Sequence, residues 1–363
     1  MPLLPLHAVD PARFERADVL KRLNGASRAL AELKGVAASI PNQNILINTL
    51  TLQEARDSSA IENIVTTQDD LYREDNAADA TGTAVKEVLR YRQALQAGFA
   101  QTRASGLLTL NTILDIQQQL ECNRAGLRKL PGTALRDGVG RLVYEPPQDA
   151  NEVARLMGEL ERFIHDEPAY PVDPLVKMAL IHHQFESIHP FYDGNGRTGR
   201  IINVLYLVKE GLLDIPVLYL SRHIVRTKPD YYRLLQAVRE TDAWEEWVLY
   251  MLEAVANTAR ETIHTIQTIR TLLQQTKQRV RDGYRFYSQD LINNLFNHPY
   301  TRVEFVQRDL GVSPITATRH PDKLAEDGVL EKLRIGRNNY YVNRPLFGLL
   351  GRDQLADEGA QPL

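Results

Sequence analysis

Apolar residues recur at three- and four-residue spacing along most of the chain, and this pattern predicts a mainly α-helical protein. Amphipathic helices are predicted over residues 14–39, 84–105, 107–120, 153–163 and 175–186. Asp149 or Asn151 is the predicted cap of the fourth of these helices, and Pro174 precedes the fifth. Residues 242–280 contain neither glycine nor proline, which predicts one or two long helices.

A different pattern begins near residue 284. Residues 303–306 and then 309–314 indicate a helix, a tight turn and a second helix that starts at Ser313 and Pro314. Strand-forming residues on either side of 336–339 indicate two strands around a wing. The predicted divisions of the chain are therefore an N-terminal helical region, a core with long helices, a winged helix-turn-helix unit and a tail, at 1–105, 106–283, 284–345 and 346–363.

Composition fits a globular protein of two or three domains, with 363 residues, 43% hydrophobic and 25% charged. A net charge of −3 argues against wholesale binding to a polyanion. The single cysteine, Cys122, rules out an intrachain disulfide and fits a reducing compartment. Charged residues interrupt the N-terminal apolar positions, and no stretch approaches the roughly 18 apolar residues of a membrane span. We therefore expect a cytoplasmic protein without a membrane segment.

The most informative stretch is His189–Arg200, which holds a base, a carboxylate, a glycine pair and two arginines in twelve residues. Gly194 and Gly196 permit positive φ and close approach of a ligand, so the N–H groups around Asn195 can converge on an anion. The apolar run that follows predicts a helix whose N-terminal dipole favours negative charge at the same place. The stretch therefore predicts a phosphate-binding loop.

The charged residues of this stretch suit a nucleotide. Arg197 and Arg200 are one helical turn apart, so both can face one polyphosphate. His189 can act as a base near neutral pH, and the carboxylate of Asp193 is a hard oxygen ligand suited to Mg²⁺ beside phosphates. Together they predict a site for a nucleotide, a metal and a general base.

These residues reproduce the signature of the Fic family of nucleotidyltransferases: His-Pro-Phe, any residue, Asp or Glu, Gly-Asn-Gly-Arg, two further residues and Arg. Every fixed position matches. Members of this family mostly transfer AMP from ATP to a hydroxyl on a protein and release pyrophosphate. The resemblance covers about residues 10–255 and implies a Fic-type helical core with a small β-hairpin flap. A looser resemblance at the C-terminus is to the winged-helix domains that follow some Fic cores.

By this resemblance, His189 deprotonates a target Ser, Thr or Tyr hydroxyl, which attacks the α-phosphorus of ATP, and Asp193 holds Mg²⁺. Phe191 anchors the loop. The residues implied to bind phosphate oxygens are Gly194, Asn195, Gly196, Arg197 for the β-phosphate and Arg200 for the γ-phosphate. A glycine at 194 favours transfer of AMP over transfer of phosphate from a reversed ATP. Tyr231 and Tyr232 fit either the core or the border of an adenine site.

A second resemblance lies upstream, where Ser58, Glu62 and Asn63 match the family's inhibitory pattern of Ser or Thr, three residues, Glu, and Gly or Asn. On a helix, Ser58 and Glu62 share a face. In relatives of this type, the glutamate pairs with the second arginine of the signature, which is Arg200 here, in the place of the γ-phosphate. The resemblance thus implies an autoinhibited enzyme.

The segment Leu142–Tyr144 follows a turn-rich stretch and predicts a hairpin. In the family, a hairpin at this distance before the signature binds the target segment as an extra strand. An ordinary surface hairpin fits the sequence equally well.

The predicted winged unit offers a second function. A helix with Thr316, Thr318 and Arg319 could enter a DNA major groove, while Arg334 or Arg337 on the wing contacts phosphates. Residues 297–344 hold eight Lys and Arg against six Asp and Glu, a weak positive excess, and Pro321 interrupts the presumed recognition helix. A module for dimerisation or partner docking is the alternative.

Three further alternatives remain open at this stage. His182, Glu186 and His189 are spaced for one helical face and could bind Zn²⁺, although that leaves the glycines and arginines without a role. The chain could instead be a nucleotide-sensing transcriptional or toxin-control regulator with its output in the C-terminal domain. It could also remove AMP, because a glutamate beside the metal can activate water. A homodimer that holds the inhibitory segment in place is an analogy to the family.

Overall fold

The computed structural model describes residues 3, 5–74, 82–166, 169–335 and 338–351. Within these residues the chain forms fifteen α-helices and five short strands, which confirms the prediction of a mainly α fold. The helices are α1 Ala17–Ala38, α2 Asn44–Ile61, α3 Gln68–Glu74, α4 Thr83–Ser105, α5 Leu110–Glu121, α6 Ala150–His165, α7 Pro174–Ile188, α8 Asn195–Lys209, α9 Leu220–Arg226, α10 Lys228–Thr241, α11 Trp244–Gly283, α12 Gln289–Asn297, α13 Val303–Leu310, α14 Pro314–Glu326 and α15 Arg344–Gly351. The strands are β1 Leu135–Arg136, β2 Leu142–Tyr144, β3 Tyr300–Thr301, β4 Glu331–Ile335 and β5 Asn338–Val342.

The chain divides into two compact units that do not follow chain order. The first unit comprises Met1–Lys34, Glu54–Val65 and Glu87–Arg260, and the second comprises Gly35–Gln53, Thr66–Lys86 and Glu261–Leu363. Helices α1, α2, α4 and α11 each contribute residues to both units. Because four of the five boundaries fall inside helices, no linker composition marks those four in the sequence.

Helices α7 and α8 form the centre of the first unit. Every residue of α7 from Leu175 to Ile188 is buried, and this fits a helix that is mostly apolar on all sides. The indole of Trp247 donates a hydrogen bond to the carbonyl of Ala179 at 2.8 Å. The helix starts at Pro174 and is capped by the side chain of Asp173, which accepts from the Leu175 N–H.

The predicted helix boundaries hold closely elsewhere in this unit. Asp149, one of the two predicted caps, accepts a hydrogen bond from the Glu152 N–H at 2.9 Å at the start of α6. Helix α11 is a single uninterrupted helix of 40 residues. The predicted hairpin is also present, since Leu135 of β1 pairs with Tyr144 of β2 in an antiparallel arrangement.

The second unit contains the predicted helix-turn-helix. Gly311, in the left-handed region at φ 64°, separates α13 from α14, and the Ser313 hydroxyl accepts from the Thr316 N–H. Strands β4 and β5 are the antiparallel pair predicted around the wing, and β3 joins the other side of β5. Helix α14 continues through Pro321 to Glu326.

Two predictions for this region need comment. The predicted tail starts at residue 346, but helix α15 includes Leu346 and Leu350, both buried, so the first part of that segment is helical. The sequence prediction missed it because the segment is short. The remainder of the tail, from residue 352, and the predicted wing residue Arg337 lie outside the described residues.

Candidate active site

The signature loop connects the end of α7 to the start of α8. His189 adopts the left-handed conformation with φ 48°, and its N–H donates to the Phe185 carbonyl, so α7 ends at this residue. Phe191 is fully buried, as predicted for a loop anchor. The Asn195 amide holds Phe191 from both sides, because its Oδ1 accepts from the Phe191 N–H and its Nδ2 donates to the Phe191 carbonyl, both at 2.9 Å. The loop is therefore fixed by its own hydrogen bonds.

The start of α8 offers backbone donors to an anion. Gly194 lies at φ 77°, and the first bond into the helix runs from the Thr198 N–H to the Gly194 carbonyl. The N–H groups of Asn195, Gly196 and Arg197 therefore precede the helical ladder and point out of the helix end. Since the Asn195 side chain is committed to Phe191, its backbone N–H is the group that can bind a phosphate.

Both glycines of the loop allow acidic side chains to approach. A Cβ on Gly196 would lie 2.6 Å from Glu62 Oε1 and 2.9 Å from Arg200 Nη1. A Cβ on Gly194 would lie 2.5 Å from Glu121 Oε1. A side chain at either position would therefore displace the carboxylate of Glu62 or Glu121, and at 194 it would also be strained by the backbone conformation.

Glu62 contacts both arginines of the signature. Its Oε1 lies 2.7 Å from Arg200 Nη2, and its Oε2 lies 3.1 Å from Arg197 Nε. Burial acts against the charge of Arg200, but Glu62 and neighbouring groups more than offset this and raise the pKa of the guanidinium. The pairing with Arg200 was expected from the family pattern, whereas the contact with Arg197 was not.

The inhibitory segment differs in one respect from the helical arrangement that we predicted. Helix α2 ends at Ile61, and Glu62 lies in the following turn because Asn63 adopts the left-handed conformation with φ 64°. Ser58 remains in the helix and binds Arg200 twice, through its hydroxyl at 2.7 Å and its carbonyl at 3.0 Å. The Asn63 side chain accepts from Lys228 at 3.2 Å and does not contact either signature arginine.

Arg197 is surrounded by carboxylates that sequence analysis did not identify. Beside Glu62, its guanidinium lies 3.2 Å from Glu87 and 2.9 Å from Glu121, and its side chain is only 3% exposed. Burial is the main cause that raises the pKa of Glu121, while Arg197 acts in the opposite direction. One signal was available in the sequence: Glu121 ends α5, where the helix dipole disfavours an acidic residue.

Asp193 is the most exposed charged residue of the loop, with 75% of its side chain accessible. Its Oδ1 accepts from the Gly194 N–H at 2.7 Å. Among the described residues, no group of three or more His, Cys, Asp and Glu side chains is placed to hold a metal. A single carboxylate still fits Mg²⁺ bound mainly by phosphates and water, and does not fit an all-protein metal site.

His189 is neutral at physiological pH. Burial, followed by the positive charges of Arg128 and Arg239, lowers the pKa of its imidazole to about 4. Its Nδ1 has no hydrogen-bond partner within the described part of the chain. A neutral ring can accept a proton, and a polyphosphate bound nearby would raise this pKa towards the neutral range.

The residues that could have formed a zinc site make other contacts. The two ring nitrogens of His182 bond to the Tyr231 hydroxyl at 2.9 Å and to the Asn203 amide at 3.1 Å. Burial lowers the pKa of His182 to about 3 and raises that of Glu186 to about 7. His182 is therefore a satisfied core residue, and His189 lies beyond the helix end.

The two tyrosines of the predicted adenine border differ. Tyr231 is 1% exposed and belongs to the core, where it packs against Trp247. Tyr232 is 49% exposed, so of the two tyrosines it is the one that a ligand can reach. Burial raises the pKa of the Tyr232 phenol, with the charge of Arg200 opposing the change.

Exposed apolar residues mark the hairpin and the second helix of the winged unit. Val139, Leu142 and Val143 are 76%, 56% and 43% exposed. On α14, Ile315 is 79% exposed and Arg319 is also exposed. Contact with a target protein or with DNA at these places stays a prediction.

Comparison with known proteins agrees with this geometry. The sequence model described as the Fic/DOC family N-terminal region matches residues 20–100, and the Fic/DOC family model matches residues 107–207. The model of the protein adenylyltransferase SoFic-like C-terminal domain matches residues 272–346. The helical core and the loop thus define a Fic-type protein. The chain belongs to the Fic/DOC family.

The most informative relatives are similar over part of their length. The protein adenylyltransferase Fic of Aedes aegypti is 27% identical over 135 residues, 37% of this chain and 25% of the relative. The protein of the same name from Drosophila yakuba is 31% identical over 96 residues, 26% of this chain and 18% of the relative. The matches thus span a quarter or less of these relatives. A crystal structure of a Fic family protein from Desulfovibrio desulfuricans has the same fold, with a TM-score of 0.57, 22% identity and coverage of 94% of this chain and 98% of the other.

No helix within the described residues is both long and apolar enough to cross a membrane.

Proposed function

We propose that this protein is an autoinhibited protein adenylyltransferase, which transfers AMP from ATP to a Ser, Thr or Tyr hydroxyl of a protein, including itself. The observation that carries the proposal is the position of Glu62: one carboxylate spans Arg197 and Arg200 in front of a helix N-terminus built to receive phosphate. Glu62 thus places a negative charge where a bound polyphosphate would also place one. The names of the relatives agree with this activity.

The chemistry follows from the residues at the loop. His189 takes the proton of the acceptor hydroxyl, whose oxygen forms a bond to the α-phosphorus. The bond between the α-phosphorus and the bridging oxygen to the β-phosphate breaks, and pyrophosphate leaves with that electron pair. The N–H groups at the start of α8 and the guanidinium of Arg197 stabilise the charge on the phosphates. Arg200 binds the γ-phosphate once Glu62 has left.

Asp193 is the residue that would hold Mg²⁺. When bound, the ion supplies positive charge to the phosphate oxygens. The carboxylate is exposed and lies two residues before the first of the backbone donors, so a cation and a polyphosphate can be accommodated side by side.

The inhibited state is explained by competition for the arginines. Productive ATP must displace Glu62 from two guanidinium groups that are almost fully buried. Removing one partner from a buried ion pair typically costs about 3–5 kcal/mol, so Glu62 leaves only when the γ-phosphate replaces it.

The experiment follows ATP labelled separately at the α- and γ-phosphates, with Mg²⁺, in the wild type, Glu62→Gly and His189→Ala. We expect α-label on protein, more of it in Glu62→Gly and none in His189→Ala. Asn63→Gly is the matched control, because glycine keeps the left-handed turn and leaves Glu62 in place; it should label protein no more than the wild type does.

Other outcomes point elsewhere. Label from the γ-phosphate alone would mean phosphoryl transfer from a reversed nucleotide. No label under any condition would contradict the enzyme assignment and favour nucleotide sensing. Loss of ATP binding in His189→Ala would contradict its role as the base, since a base is needed for transfer and not for binding.

A further inference from the structure

Two arginines outside the signature bind the end of the helix that carries His189. Arg128 follows α5 and is 1% exposed. Its Nε donates to the His189 carbonyl at 2.8 Å, and its Nη2 donates to the Ile188 carbonyl at 3.3 Å. Arg239 of α10 donates from Nη2 to the Glu186 carbonyl at 3.3 Å. The last carbonyls of α7 thus have cationic donors, as the helix dipole favours.

The same two arginines bind the hairpin. The Arg239 guanidinium lies 4.0 Å above the ring of Tyr144, the last residue of β2. Arg128 Nη2 donates to the carbonyl of Pro147, three residues further along the chain. The Tyr144 hydroxyl itself donates to the Ser187 carbonyl at 2.9 Å. The hairpin is therefore fastened to the turn that precedes His189.

One further contact completes the attachment. Gln236, one turn before Arg239 on α10, donates to the carbonyl of Val143 at 3.1 Å. Arg239 also donates to the Ser187 hydroxyl at 3.0 Å. Backbone and side-chain groups of α7, α10 and β2 thus share one network around two guanidinium groups.

These arginines are unusual in their partners. Within the described residues, neither Arg128 nor Arg239 has a carboxylate within 4 Å, although both are removed from water enough for burial to lower their pKa. Without a carboxylate in contact, these guanidinium groups are held by neutral partners, which are backbone carbonyls, the ring of Tyr144 and the Ser187 hydroxyl. The planar guanidinium fork presents five N–H donors in a fixed geometry, which the ammonium group of a lysine does not reproduce.

We propose that Arg128 and Arg239 are positioning residues that fix His189 and the hairpin to the same helix end, so that a hydroxyl held by the hairpin reaches the imidazole. The proposal rests on the proposed function, in which His189 is the base and the hairpin binds the target. Arg239 connects the hairpin to the helix, and Arg128 also holds the backbone of His189 itself. Substitution of Arg128 and substitution of Arg239 should therefore affect the reaction differently.

The test uses the full chain with Glu62→Gly as the parent and Arg128→Met, Arg239→Met and Arg233→Met added singly. Arg233 is the matched control, since it lies on the same helix as Arg239 and its side chain is 59% exposed. Two products of α-labelled ATP are measured in the same reaction: label on protein, which needs a docked acceptor, and free AMP released by water, which does not.

We expect Arg239→Met to lower protein labelling at least tenfold while free AMP changes less than twofold. Arg128→Met should lower both products at least tenfold, with ATP affinity within threefold of the parent. Arg233→Met should change neither. Hydrogen exchange of the amides at 142–144 should become faster in Arg239→Met, because β2 loses its attachment.

The proposal is overturned if Arg239→Met lowers both products together, or if protein labelling is unchanged while the amides at 142–144 exchange faster. Should Arg239→Met fail to fold, Arg239→Lys replaces it with the same thresholds, because lysine keeps a charge over Tyr144 and loses the fork. If the parent yields neither product, the proposed function fails. In that case the hydrogen-exchange rates at 142–144 still test whether Arg239 attaches the hairpin to the helix end. Unchanged rates in Arg239→Met would refute that attachment.

Discussion

Glu121 offers a quantitative test of how acidic side chains compete with the nucleotide for Arg197. In a Glu62→Gly background, Arg197 still faces Glu87 and Glu121, the latter at 2.9 Å and 15% exposed. The carboxylate of Glu121 also lies directly against Gly194, where the phosphate-binding backbone begins. A β-phosphate at Arg197 must therefore approach a negative charge that belongs to the protein.

The size of this effect can be worked from the geometry. Two unit charges about 4 Å apart interact by about 4 kcal/mol at an effective dielectric constant of about 20. Part of this is lost to solvent screening, and Glu121→Gln keeps a weaker hydrogen bond to Arg197. We expect about 1.4 kcal/mol to remain, so Glu121→Gln should tighten ATP binding about tenfold.

Titration calorimetry with ATP, ADP and AMP in the presence of Mg²⁺ measures this directly. ATP and ADP should both gain affinity, and AMP should change less than twofold because it has no β-phosphate for Arg197. Asp115→Asn, an exposed charge change on the same helix α5, is the control and should change none of the three. Weaker ATP binding in Glu121→Gln would refute the reasoning and show that Glu121 holds Arg197 in place. An equal gain for AMP would indicate a general charge effect.

Three more predictions follow from buried contacts. Asn195→Ala removes both bonds to Phe191 and should lower the free energy of unfolding by about 2–3 kcal/mol in urea denaturation; a loss below about 0.5 kcal/mol would contradict the role of this amide in fixing the loop. In the Glu62→Gly background, Arg200→Ala should weaken ATP binding at least tenfold and leave ADP within threefold, and equal losses for both nucleotides would exclude a γ-phosphate contact. Burial raises the pKa of Glu54 to about 8 from 4.5, so the stability from its bound proton is fully present below pH 4.5 and is lost as pH rises through 8. Glu54→Gln should therefore flatten the decline in stability between pH 5 and pH 8 by up to about 4 kcal/mol, and an unchanged slope in urea denaturation would show that Glu54 is not protonated in the fold.

The parts of the site that were predictable are contiguous in the chain. His189, Gly194 and Arg200 come together because a single turn joins α7 to α8. Their short separation along the chain is enough to place them in one site. The pairing of Glu62 with Arg200 joins residues 138 apart and was expected only from the family pattern. Helix caps at Asp149 and Ser313 were predictable because capping depends on a few neighbouring residues.

The remaining contacts depend on packing that no local pattern encodes. Glu121 meets Arg197 across 76 residues, and Arg128 meets the His189 carbonyl across 61. Arg128 lies in an irregular segment without a motif, and its partners are backbone carbonyls, which any sequence supplies. Tyr231 was ambiguous for another reason: a tyrosine can fill a core or face a ligand, and only its burial and its bond to His182 in the structure separate the two.

The turn that holds Glu62 bears on how the proposed inhibition would behave in time. Because the glutamate lies beyond the last residue of α2, opening the single turn around Asn63 can release it without a change in the helix or in Ser58. Motions of turns and short loops occur on nanosecond to microsecond timescales, far faster than enzymatic turnover. We therefore expect the turn not to limit the exchange of Glu62 for the γ-phosphate, so that the proposed inhibition sets a low steady rate without a lag. A signal that stabilises the open turn would raise that rate in proportion to the population it shifts.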